Sequence, residues 1–196
     1  MRGRHLHCAL ALLLSLLFTA AMSAADDATL KAGVFNPPRQ APDFSLSGSD
    51  GSELRLSRYR GKVLVLAFGY TSCPDVCPMT LAVLAQARKK LGVEGNELQV
   101  VYITVDPERD DAERLHKYLA AFDPTFVGGT GTAERLAAVR EEYGIIANKK
   151  SVGTSYSVAH SSFTYLIDRD GSLRALMPYG CTPDDYVHDL RILLKK

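Results

Sequence analysis

An unbroken apolar run, Val63 to Phe68, leads straight into Gly69-Tyr70-Thr71-Ser72-Cys73-Pro74-Asp75-Val76-Cys77-Pro78, and no other feature restricts this chain as much. A short continuous apolar run bounded by turn residues reads as a buried strand, and Thr80 to Leu91 beyond the cysteines reads as a helix. Cys73 and Cys77 therefore stand at a strand-to-helix junction. Spaced four apart, they can face the same side of one helical turn. There the N-terminal N–H groups and the helix dipole favour thiolate over thiol. Pro78 suits the first turn, where its missing N–H costs nothing. Such a pair serves a reversible disulfide or a soft-metal site. The plainer alternative is a structural disulfide or two buried thiols, which have little use for a helix N-terminus and flanking prolines.

A second apolar run, Leu98 to Val105, reads as another buried strand, and Asp111 to Phe122 and Thr132 to Tyr143 read as helices. Phe44 to Leu46 and Glu53 to Leu56 flank Ser49-Asp50-Gly51-Ser52, a hairpin signal near the N-terminus. Thr164 to Asp168 and Leu173 to Met177 are strands around Asp168-Arg169-Asp170-Gly171. Thr182-Pro183-Asp184-Asp185 opens a closing helix through Leu194, with Thr182 as N-cap and Asp185 completing a capping box. The order predicts an α/β domain with a mixed sheet.

The first residues point to export. Arg2 and Arg4 precede an uncharged stretch from Leu6 to Ala25, and Ala21-Met22-Ser23-Ala24-Ala25 offers small residues at cleavage spacings. Residues 1–25 read as a signal peptide, or as a membrane anchor if retained, since the stretch is just long enough to span a bilayer. Residues 26–42 read as a tether and 43–196 as one globular domain. Removing Arg2 and Arg4 turns the formal charge of +1 into −1. With no basic stripe, nucleic-acid binding has no support. Cys73, Cys77 and Cys181 remain beyond the signal, an odd number that argues against a disulfide scaffold.

Three histidines remain as well. His116 and His188 fall inside helices and read as solvated or packed positions, whereas His160 lies in a polar stretch, Ser155 to Ser162, read as a loop leading into a strand. Two thiolates and an imidazole form a coherent donor set for copper. Structural zinc would want a fourth ligand, for which only Cys181 offers itself. Met79 reads as packing against the sheet, with a thioether ligand as its alternative. In Asp106-Pro107-Glu108-Arg109-Asp110, Asp110 with Glu113 looks like a helix cap. Asp106 is the better candidate for a group that orients a metal ligand. Cys181, just before the last helix, is expected to have a modestly lowered thiol pKa if exposed.

Three segments together, Gly69 to Pro78, Thr104 to Asp110, and Val158-Ala159-His160-Ser161 before Tyr165-Leu166-Ile167-Asp168, resemble the Sco/SenC family of thioredoxin-like copper proteins. The resemblance runs from about Asn36 to Leu194. It implies a thioredoxin-like fold, to which the hairpin read around Ser49 to Ser52 adds an N-terminal β-hairpin extension, and copper held by Cys73, Cys77 and His160 with His160 close to the cysteine loop in space. It further implies a domain at the membrane facing the periplasm. The expected function is a metallochaperone that delivers copper to, or prepares the copper site of, cytochrome c oxidase. Its partners would be the copper-bearing oxidase subunit or another copper chaperone. The alternative is a thiol–disulfide oxidoreductase in which Cys73 attacks and Cys77 resolves; a weaker one is a redox sensor. Cys181 is not part of the family's copper motif.

Overall fold

The computed structural model describes residues 29–195, so the proposed signal or anchor falls outside the described residues. In chain order the strands are β1 (Gly33–Gln40), β2 (Leu46–Gly48), β3 (Glu53–Leu54), β4 (Val63–Gly69), β5 (Leu98–Thr104), β6 (Val127–Thr130), β7 (Ala147–Val152), β8 (Ser155–His160), β9 (Thr164–Ile167) and β10 (Ser172–Met177). The helices are α1 (Val76–Leu91), α2 (Ala112–Ala120), α3 (Ala133–Glu142) and α4 (Pro183–Leu194). Eight strands form one mixed sheet in the order β1-β10-β9-β4-β5-β6-β2-β3, and β7 and β8 form a separate two-stranded ribbon.

The two apolar runs are neighbouring parallel strands, paired from Val63 with Leu98 to Gly69 with Thr104, and every residue of both is buried. Their side chains alternate between two layers. Val63, Val65, Ala67, Val100 and Tyr102 pack on one face with Leu81 and Leu84 of α1, Leu115 and Leu119 of α2, and Leu190 and Leu193 of α4. Leu64, Leu66, Phe68, Val101 and Ile103 pack on the other with Leu136 and Val139 of α3 and with Leu46 and Leu54 of the hairpin. This is the thioredoxin-like arrangement, a mixed sheet flanked by helices, and the hairpin extends it beyond β6.

Four local features differ from the sequence reading. Within the stretch read as a tether, Gly33–Gln40 is an edge strand antiparallel to β10, with its register shifting between Val34 and Arg39. Its attachment runs mainly through backbone groups and most of its side chains face solvent, with Phe35 alone stacking on Tyr165, so no apolar periodicity betrays it. Pro37 and Pro38 are tolerated because an edge strand can spare donors. Helix α1 starts at Val76, which brings Cys77 and Pro78 into its first turn while Cys73 stays in the preceding loop. Strand β6, Val-Gly-Gly-Thr, has poor strand propensity. It needs glycine because a methyl group at Gly129 would lie 2.6 Å from Leu54 and 2.7 Å from Ile103. Finally, the stretch around His160 is a strand, β8, in the β7–β8 ribbon. Its polar residues carry little hydrophobic signal.

Helix α4 begins as its sequence predicts. Thr182 Oγ1 accepts from the Asp185 N–H at 3.2 Å, and the Asp185 carboxylate accepts from the Thr182 N–H at 2.9 Å. Removing one half of such a box costs about 1 kcal/mol. Thr182→Ala is therefore expected to lower the melting temperature by roughly 2–4 °C, as followed by far-ultraviolet circular dichroism. An unchanged melt would show that the box does not hold this end of the helix.

Candidate metal centre

Because β4 and β5 are parallel, the loops leaving them share one edge of the sheet. The Val105 N–H donates to Gly69 O at 2.8 Å, and the link continues through Asp110. Asp110 is not the helix cap expected from the sequence. Asp111 takes that place, its carboxylate accepting from the Arg114 N–H at 2.8 Å. Asp110 turns inward and is fully buried, accepting from Thr71 N at 2.9 Å, Thr71 Oγ1 at 2.5 Å and Thr104 Oγ1 at 2.8 Å. Three donors compensate a carboxylate taken out of water. From outside, Arg114 donates to Thr71 Oγ1 at 2.7 Å and to Ser72 Oγ at 3.1 Å. The cysteine loop is thus clamped on both sides just ahead of Cys73.

Cys77 is 3% exposed in the first turn of α1, and its Sγ lies 3.3 Å from His160 Nε2. His160 Nδ1 lies 2.7 Å from its neighbour's carbonyl, Ser161 O, which can only accept. The imidazole proton therefore sits on Nδ1, and the Nε2 lone pair faces the sulfur. Burial pushes His160 below its usual pKa, which keeps the ring neutral. The thiolate expected at the helix N-terminus is overridden at Cys77, where burial pushes the thiol from an ordinary 9.0 up to about 12. That rise represents about 4 kcal/mol against ionisation, whereas a helix dipole contributes up to about 2 kcal/mol. Desolvation wins. All three thiols beyond residue 28 are free; Cys73 is partly exposed and packs in the same apolar cluster as Cys77.

Among the described residues no three of His, Cys, Asp and Glu sit together at metal-ligand spacing. The structure brings Cys77 and His160 together and leaves Cys73 beside them on its loop. The donor chemistry nevertheless fits copper. Two sulfurs and an imidazole whose free lone pair faces one of them suit both Cu(I) and Cu(II).

His160 reaches Cys77 because its ribbon is tied down over the loop. Asp106 is fully buried, accepts from Tyr156 Oη at 2.7 Å and also pairs with Arg109 Nε. Arg109 Nη1 donates to Tyr156 O at 3.1 Å, and its guanidinium lies 3.9 Å from the centre of the Tyr156 ring. Tyr70, inside the cysteine loop, accepts from the Val158 N–H at 3.2 Å and packs edge-on to His160, centroids 5.9 Å apart. Asp106 makes no hydrogen bond to a thiol or the imidazole. It positions the strand that carries His160. Tyr156, Arg109 and Tyr70 escape the sequence reading because their roles depend on contacts between distant segments.

The remaining candidates lie apart from this pair. Cys181 lines a neighbouring apolar cavity of about 280 Å³ together with Met79, Tyr179 and Tyr186, meeting the Cys77 side only through shared Thr80 and Ser162. Burial raises its thiol pKa, against the lowering expected at a helix N-terminus. Met79 faces this cavity and solvent instead of packing on the sheet. His116 is exposed on α2, and His188 pairs with Asp189 at 2.8 Å.

Known proteins share this architecture. The SCO1/SenC family profile matches residues 35–195. A mitochondrial SCO2 homologue from Mus musculus is 38% identical over 133 residues, covering 66% of this chain and 52% of that protein. The chain thus spans about half the length of that relative. ScoI from Bradyrhizobium japonicum, solved with copper bound, is 31% identical with a TM-score of 0.73, covering 79% of this chain and 99% of that one. BsSco, described as a Sco-family cytochrome c oxidase assembly protein with a disulfide switch, is 25% identical with a TM-score of 0.65, covering 83% and 98%. With a family match from β1 to the last turn of α4, this chain belongs to the SCO1/SenC family.

Proposed function

We propose that this chain is a copper-binding metallochaperone, with Cys73, Cys77 and His160 as the ligands. It delivers copper to, or prepares the copper site of, cytochrome c oxidase. The observation that carries the reading is the meeting of Cys77 Sγ and His160 Nε2 at 3.3 Å with the imidazole proton held on the opposite nitrogen. Cys73, on the partly exposed loop, is the third donor and the one nearest to an approaching partner. The copper in ScoI and the assembly role of BsSco support the cargo and its destination. The partner is the copper-bearing oxidase subunit or another copper chaperone. Residues 1–25, as signal or anchor, would place the domain in the periplasm, at the membrane. Among the described residues no helix is long and apolar enough to cross a membrane.

The asymmetry of the two thiols favours one alternative. A partly exposed Cys73 in front of a buried Cys77 suits an attacking and resolving pair. The Cys73 thiolate would attack a partner disulfide to form a mixed disulfide. Cys77 would then displace it, leaving a Cys73–Cys77 disulfide here and a reduced dithiol on the partner. His160 separates the two readings, because copper retention needs it and disulfide exchange does not.

One copper per chain is expected by elemental analysis, with a thiolate-to-Cu(II) charge-transfer band. Cys77→Ala should abolish both, and His160→Ala should weaken Cu(II) more than Cu(I), since two thiolates can hold Cu(I) unaided. Wild-type copper affinity in Cys77→Ala would place the site elsewhere.

The buried thiol predicts a pH dependence. Cys77, pushed up to about 12, is protonated in the copper-free chain at neutral pH, so binding must expel its proton. Competition with a chromophoric chelator should show affinity rising with pH by about tenfold per unit for each proton displaced. Above the ordinary histidine value of 6.5, His160 is already neutral and adds nothing. A flat profile would remove Cys77 from the ligand set.

A further inference from the structure

Tyr102 lies on β5, on the face that packs against α1, opposite Ala67 of β4. It is 1% exposed, yet its hydroxyl has no hydrogen-bond partner. A buried polar group left unpaired calls for an explanation. The direction of the hydroxyl supplies one. A methyl group placed on Gly69 would lie 2.2 Å from Tyr102 Oη and 2.8 Å from Cys77 Sγ. Hydroxyl and sulfur therefore both crowd the space that a side chain at residue 69 would need, which makes them neighbours and leaves room for glycine alone. Tyr102, Cys77 and His160 also line the same cavity.

We propose that Tyr102 is a tuning residue for the metal centre, its hydroxyl donating a hydrogen bond to the Cys77 thiolate when copper is bound. The inference rests on the reading of Cys73, Cys77 and His160 as the copper site. In the copper-free chain Cys77 carries a thiol, whose sulfur is a weak acceptor. Once ionised and bound to metal, the sulfur becomes an acceptor in need of a donor, and the one held beside it has no other partner. The hydrogen bond draws charge from the sulfur and lowers the energy of its lone pairs. That weakens donation to Cu(II) relative to Cu(I) and raises the reduction potential. The two cysteines thereby become inequivalent. Cys77 meets His160 from the ribbon side and Tyr102 from the sheet side, whereas Cys73 sits on the partly exposed loop.

The competing explanation is that Tyr102 is an aromatic filler, its ring packed 6.4 Å from that of Tyr118, with its hydroxyl stranded by chance. Tyr102→Phe decides between them, because it removes one oxygen and leaves the ring. Wild type and variant are loaded with Cu(II), and copper content, absorption spectrum, reduction potential and melting temperature are measured. The expected result is one copper in each, an unchanged or higher melt, a charge-transfer band moved to longer wavelength in the variant, and a lower potential. Equal bands and potentials at equal copper content would overturn the role of Tyr102 and leave the copper site standing. If wild type itself takes up no copper, the site and the role of Tyr102 fall together.

Discussion

The parallel pairing of β4 with β5 is the constraint on which the rest of the structure depends. Parallel strands end at the same edge, so the chain leaves Gly69 and Thr104 side by side and must build two loops in one place. The cysteines come from one loop and the acidic segment from the other. Asp110 joins them, buried among donors from Thr71 and Thr104. Removing one partner of such a network leaves an uncompensated charge, which is far costlier than losing a surface contact. The segment before Cys73 is therefore stiff, and its stiffness comes from a carboxylate that touches neither thiol.

The second constraint is the ribbon. Strands β7 and β8 bury few apolar side chains, chiefly Val158 with Ala147 and Tyr156 partly covered, and a two-stranded unit of this kind is marginal by itself. It is held by a few specific anchors. The buried carboxylate of Asp106 grips Tyr156, Arg109 lies across the Tyr156 ring, and Tyr70 accepts from the backbone at Val158. Through them, the position of His160 is coupled to both loops at the edge of the sheet.

Burial sets the resting state of the pair. The helix N-terminus favours a thiolate at Cys77, but desolvation opposes it more strongly, and the copper-free thiol keeps its proton. His160 is held neutral by the same cause. The pair is thus uncharged without metal, which removes the cost of burying an unpaired anion.

Local chemistry was enough to reveal much of this. Apolar runs long enough for buried strands identify β4 and β5, the turn residues after Gly48 identify the hairpin, and Thr182 with Asp185 identifies the start of α4, because each signal lies within a few neighbouring residues. The cysteine spacing at a strand-to-helix junction likewise marked a place for soft-metal or thiol chemistry. Tertiary structure decided what depends on distant partners. It made Gly33–Gln40 an edge strand, turned Asp110 inward, filled the space around Gly129 so that only glycine fits, and set Cys181 apart from the other two thiols. It also placed His160 against Cys77 across 83 residues of chain, and the Tyr102 hydroxyl beside the same sulfur. Hydrophobic periodicity and capping are written in short stretches because the forces behind them act within a turn or a strand. Metal ligands and the groups that tune them are chosen by proximity in space, and only the packed sheet creates that.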